Sequence, residues 1–133
     1  MFHCFLEPPC SGNKCPLGST LYTGQAILST NEQTKLTMQE DGNLVLRCRR
    51  EAIWSTHTHG ESVRGGLVLG IDGTLTIYST DGSPLWSANE NNENVNYLRV
   101  ENNGNLVLYD SNMNHLWSSE TAGSCDSAFI RIN

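Results

Sequence analysis

The sequence predicts an all-β domain built from three like units closed into a triangular prism. Three observations predict it. First, a turn-and-strand marker recurs: Asp41-Gly42-Asn43-Leu44, Asp72-Gly73-Thr74-Leu75 and Asn103-Gly104-Asn105-Leu106, 31 residues apart at both steps. Second, an independent marker keeps nearly the same step: Ile53-Trp54-Ser55, Leu85-Trp86-Ser87 and Leu116-Trp117-Ser118, spaced 32 and 31. Third, no segment carries a sustained helical period. A fixed period of this length marks repeated units that bury their apolar faces together. Three units of this size are too few for a propeller. A prism and a trefoil remain, and three to four short strands with one Trp per unit favour the prism. The three tryptophans are then expected to meet as core near a pseudo-threefold axis.

The elements follow in order. Residues 1–18 read as a Cys/Pro-rich arm without a period, and residues 19–133 as the repeat domain. Residues 21–29 form a strand interrupted by Gly24, and 35–39 the next. The Asp41-Gly42-Asn43 turn follows, because Gly tolerates positive φ and Asp and Asn bond their own backbone. Residues 44–48 and 52–56 close the first unit. Gly60, Gly65 and Gly66 punctuate the passage to the second, which has strands at 67–71, 75–79 and 85–88 and a further hairpin turn at Asp81-Gly82. Residues 89–96 are a polar connector. The third unit has strands at 97–101, 106–110 and 115–118. Residues 127–133 alternate Ala128, Ile130 and Ile132 against Phe129 and Arg131, a strand in need of a sheet.

Composition narrows the function. The chain has 133 residues, enough for one domain with a real core. A net charge of −6 argues against nucleic acid, whose binding is driven by Lys and Arg. No apolar run approaches the roughly 18 residues of a membrane span. Residues 2–6 are too short for a signal-peptide core. The five cysteines are an odd number. Cys4, Cys10 and Cys15 crowd the arm, which suggests a disulfide and an oxidising, extracellular compartment, with the cytoplasm as the alternative. The pairing, including that of Cys48 and Cys125, is left open. Zinc on this cluster is disfavoured by its spacing. His57 and His59 read as solvated loop residues rather than a metal pair. Arg47-Cys48-Arg49-Arg50 reads as an exposed edge, with an anionic docking patch as the lesser reading. No catalytic triad, phosphate loop or metal spacing is present, so no enzyme and no cofactor are expected.

Strand alternation sends Gln39, Asp41, Asn43 and Val45 to one face. A carboxylate, two carboxamides and a methyl patch side by side suit a small polyhydroxylated ligand. The same residues are good turn formers and have that purely structural reading as well.

Residues 38–46 followed by Ile53-Trp54-Ser55-Thr56 resemble the bulb-type (snowdrop-type, monocot) mannose-binding lectin domain family, whose motif is Gln-x-Asp-x-Asn-x-Val-x-Tyr once per repeat. The resemblance covers residues 19–123. It implies a β-prism II fold of three four-stranded sheets, with a shallow mannose pocket on each. It implies that Asp and Asn bond the sugar 2-hydroxyl, Gln the 3-hydroxyl and Tyr the 4-hydroxyl, while Val packs on the ring. It further implies a homodimer that exchanges C-terminal strands, which gives 127–133 its sheet.

The motif is altered here. The first copy has Gln39, Asp41, Asn43 and Val45, with Arg47 in place of Tyr; Arg47 can still donate to a sugar hydroxyl or an acidic group. The second reads Gly70, Asp72, Thr74, Thr76 and Tyr78, keeping only Asp72 and Tyr78. The third reads Glu101, Asn103, Asn105, Val107 and Tyr109. The first pocket is therefore expected to be the best kept, then the third, with the second lost. The family's disulfide between its first and second repeats falls on Gly42 and Gly65 here, so another bridge is expected. The resemblance implies mannose or mannose-rich glycans as partners. The alternative is a degenerate prism acting as a protein-interaction, inhibitor or toxin-like module.

Overall fold

The computed structural model describes residues 7–90 and 94–126. The predicted strand at 127–133, and with it the strand exchange, lies outside the described residues, as do His3 and Cys4.

Among the described residues twelve strands make three antiparallel four-stranded sheets. The N-terminal segment deals one short strand to each sheet. β1 (Lys14–Pro16) joins the third unit, β2 (Thr20–Tyr22) the second and β3 (Ala26–Leu28) the first. The first sheet is completed by β4 (Thr34–Met38), β5 (Leu44–Cys48) and β6 (Glu51–Ser55). The second holds β7 (Val63–Leu69), β8 (Leu75–Ser79) and β9 (Pro84–Ala88). The third holds β10 (Val95–Val100), β11 (Leu106–Asp110) and β12 (His115–Ser118). This is the prism that the periodicity predicts. By placing β1 beside β10, the chain fastens its first described strand to its last unit.

The core is made by the inward half of each strand. Leu36, Leu44, Leu46, Leu75, Ile77, Leu98, Leu106 and Leu108 are all at most 1% exposed. On the axis the three tryptophans meet edge to face, with ring centroids 5.8, 5.9 and 6.0 Å apart. Such pairs contribute about 0.5–1.5 kcal/mol each beyond their burial. Leu46, Ile77 and Leu108 stand opposite Trp54, Trp86 and Trp117, so the third-turn register is the same in every unit.

Some local features differ from expectation. Gly65 and Gly66 lie inside β7 rather than between units, where the register slips between Arg64 and Leu67. Leu21 O lies 2.0 Å from where a Cβ of Gly66 would stand, so only glycine lets β2 approach there. Among the described residues two disulfides form, Cys10–Cys15 and Cys48–Cys125. The second ties the tip of the first sheet to the turn after β12. Gly42, where the family places a cysteine, has φ +94°, and its Cβ would stand 2.4 Å from Glu61 O. The 58–61 segment closes over this turn and leaves no space for a side chain.

Candidate functional site

Each candidate row begins on one recurring turn. Gln39 N donates to Asn43 O, Gly70 N to Thr74 O and Glu101 N to Asn105 O, at 2.8, 3.0 and 2.8 Å. Inside it, Asp41 Oδ1 accepts from Asn43 N, Asp72 Oδ1 from Thr74 N and Asn103 Oδ1 from Asn105 N, at 3.0–3.1 Å. The turn reading of these residues is thus correct, and it leaves Asp41 Oδ2 and Asn103 Nδ2 for other uses. Asn43 Oδ1 accepts from Thr58 N at 3.0 Å, and Asn105 Oδ1 from Thr121 N at 3.1 Å. Both carboxamides therefore turn their oxygen inward, which leaves Nδ2 as the donor.

In the first row the side chains form a relay. With its amide oriented to satisfy both neighbours, Gln39 donates to Asp41 Oδ1 at 3.1 Å and accepts from Arg47 Nη1 at 3.0 Å. Arg47 thus reaches back along the row past Val45. Thr37 lies opposite Val45 in register, and Lys35 lies opposite Arg47. The structure brings all five first-row residues together.

The third row is bridged differently. Arg99 lies opposite Val107, where the first row has Thr37. Glu101 Oε2 accepts from Arg99 Nη2 at 3.0 Å and Nε at 3.3 Å, and from the Tyr109 hydroxyl. The guanidinium also lies 5.0 Å above the Tyr109 ring. Burial pushes the Tyr109 phenol up, and its bond to Glu101 adds to the shift. Val107 is 0% exposed and Tyr109 4%. A cleft of about 380 Å³ remains beside the row, lined by Asn13, Thr30, Arg99, Glu101, Asn102 and Asn103 among others.

The second row keeps Asp72 and Tyr78 but has no amide at Gly70. Thr76 fills the place of Val, and Arg64 stacks on Tyr78 at 5.5 Å. A shallow cleft of about 250 Å³ runs past Thr74, Thr76, Tyr78, Pro84, Ser87 and Glu90.

Sequence reasoning missed Thr37, Lys35 and Arg99. They lie on the strand before each turn, across from Val45, Arg47 and Val107. Counting the register outward from the turn would have found them.

No protein-family model matches the chain. B-type lectin plumieribetin from Scorpaena plumieri is 28% identical over 103 residues, covering 75% of this chain and 88% of that protein. The structure is similar to the mannose-specific agglutinin of snowdrop (Galanthus nivalis) solved with methyl-α-D-mannoside: 32% identity, 74% of this chain and 90% of that one, TM-score 0.65. It is also similar to a monomeric monocot mannose-binding lectin from Gastrodia elata, with 31% identity, 84% and 99% coverage, and a TM-score of 0.75. Sharing this identity across almost the whole of such a lectin, together with its three sheets, the chain belongs to the bulb-type (snowdrop-type) lectin domain family.

Proposed function

We propose that the protein recognises mannose or mannose-containing glycans, and that the first row is its working site. The observation that carries this is the relay Arg47–Gln39–Asp41, set beside the Asn43 donor and Val45. It holds donors and acceptors ready for adjacent sugar hydroxyls beside Val45, which is 4% exposed. Among the described residues Arg47 is tied to the row by one bond to the Gln39 amide, which a ligand can replace. The bond runs from a guanidinium to an uncharged carbonyl oxygen, so breaking it separates no ion pair, unlike the Arg99–Glu101 bridge of the third row. The names of the snowdrop and Gastrodia proteins support mannose as the sugar.

The test is retention on immobilised mannan with elution by free mannose. Gln39→Ala with Asp41→Asn should lose about ten- to a hundredfold in affinity, since two polar contacts go. Asn at 41 retains the turn acceptor, as Asn103 does naturally, so thermal unfolding should stay near wild type. A wild-type protein that passes through mannan and ignores a broad glycan panel would sink this reading. The protein-interaction reading would then stand, and the bridged third row favours it.

Two further proposals accompany this one. The two disulfides support an extracellular or otherwise oxidising location. A homodimer through residues 127–133 is supported by the resemblance alone. Each sheet already holds four strands of its own chain, so an exchanged strand must add a fifth or displace an edge strand. Light scattering should give a monomer after deletion of 127–133 if that strand makes the dimer; an unchanged mass would remove the proposal.

A further inference from the structure

One pair of facing positions differs in kind among the three sheets. It is Lys35 and Arg47 on the first, Arg64 and Tyr78 on the second, and Tyr97 and Tyr109 on the third. The aromatic pair stacks with centroids 5.4 Å apart, and the mixed pair makes a cation–π contact. The first sheet alone sets two cations face to face. Like charges directly opposite are destabilising, so nothing in the fold itself calls for this pair.

The surroundings add to the charge. The turn after β5 is Arg49-Arg50, with φ of 49° and 84°. A two-residue hairpin with both angles positive suits Asn-Gly, and side chains with a Cβ are strained there. The equivalent hairpins of the other sheets carry Asp81 in the turn and Asp110 at the end of β11, whose carboxylates accept backbone and side-chain bonds from the turn. The Ser79 and Ser83 hydroxyls hold Asp81 down to about 2, and the Asn114 side-chain amide with backbone bonds holds Asp110 below the usual carboxylate range. The first sheet thus replaces a fixed anion with two cations. In a chain of net charge −6, four of eight Lys and Arg residues gather at this end: Lys35, Arg47, Arg49 and Arg50. Two of the four bond uncharged side-chain amides. Arg47 bonds Gln39, and Arg49 Nε donates to Gln33 Oε1 at 2.7 Å. Glu51, the nearest acid along the chain, pairs in register with Cys48 rather than Arg47. Among the described residues the one ion pair is Arg99–Glu101, on another sheet.

The Lys35/Arg47 pair lies two residues along the strands from Thr37/Val45, or roughly 7 Å at strand rise. That is about the width of one hexose. We infer that the first row continues into an anion subsite, formed by Lys35, Arg47 and Arg50, that takes a carboxylate, phosphate or sulfate carried by the bound saccharide. Arg47 moves from Gln39 to that group, which exchanges a bond to an uncharged carbonyl for one to an anion. This inference rests on the mannose reading of the first row and sharpens its ligand class.

The experiment titrates the full chain with four probes: methyl-α-D-mannoside, mannose 6-phosphate, mannose 6-sulfate and a mannuronate oligomer. At least one anionic probe should bind about tenfold tighter than the neutral mannoside at low salt. The advantage should shrink as salt rises, because exposed charges are screened within about 10 Å at 0.1 M. Which probe gains most identifies the anion. Lys35→Gln with Arg50→Gln should remove the advantage and leave the neutral mannoside unchanged. Equal binding of all four probes overturns the anion subsite while mannose recognition stands. So does an advantage that survives in the double variant. Anionic probes bound without the neutral one would sink the mannose reading alone, and binding of none would sink both.

Discussion

On the first sheet an arginine crosses the row to a neutral amide; on the third an arginine crosses it to a carboxylate. Arg47 holds Gln39 by one bond, whereas Arg99 holds Glu101 by two and shares it with the Tyr109 hydroxyl. Both rows keep an Asn donor, a Val at the same step and the same turn. The difference teaches that motif residues alone do not set a row's state. The side chain across the sheet, Thr37 or Arg99, and the charge at position 39 or 101 set which polar groups bond each other within the row.

The largest expected effect comes from exchanging the tethers. Gln39→Glu should lock Arg47 into an ion pair and weaken mannoside binding about tenfold or more, measured by calorimetry. If affinity is untouched, the tether is not what distinguishes the rows. The reverse change is Glu101→Gln with Arg99→Thr, which gives the third sheet the first sheet's pattern. A second, weaker mannoside site should appear, seen as a rise in stoichiometry. A smaller effect separates the rows by pH. The Tyr109 phenol is raised in the folded protein, so its contribution is complete below its unfolded pKa near 10 and is lost as pH rises through the higher folded value. Thermal stability should therefore fall above about pH 10, and Tyr109→Phe should flatten that fall. An equal fall in the Phe variant would place the loss elsewhere.

Much of this was legible in the sequence because it is local. β5, β8 and β11 occupy the predicted spans, since an Asp-Gly or Asn-Gly turn followed by Leu-x-Leu or Leu-x-Ile fixes both start and face. The meeting of Trp54, Trp86 and Trp117 was legible because each sits at the same step of its unit. β1 was not, because three residues ending in a proline leave no alternation to read. The first half of β7 was hidden by Gly65-Gly66, which look like punctuation and are a bulge. The Cys48–Cys125 bridge depends on how the turn after β12 returns to the first sheet, 77 residues away in sequence. The Arg99 bridge was missed for a similar reason: it arises from cross-strand register, which no single stretch displays.

The most direct test follows the side-chain amides of both rows by NMR while methyl-α-D-mannoside is added to the wild-type chain. The account predicts saturable shifts of the Gln39 and Asn43 amides, with those of Asn103 and Asn105 still. Movement of all four with one midpoint would contradict it.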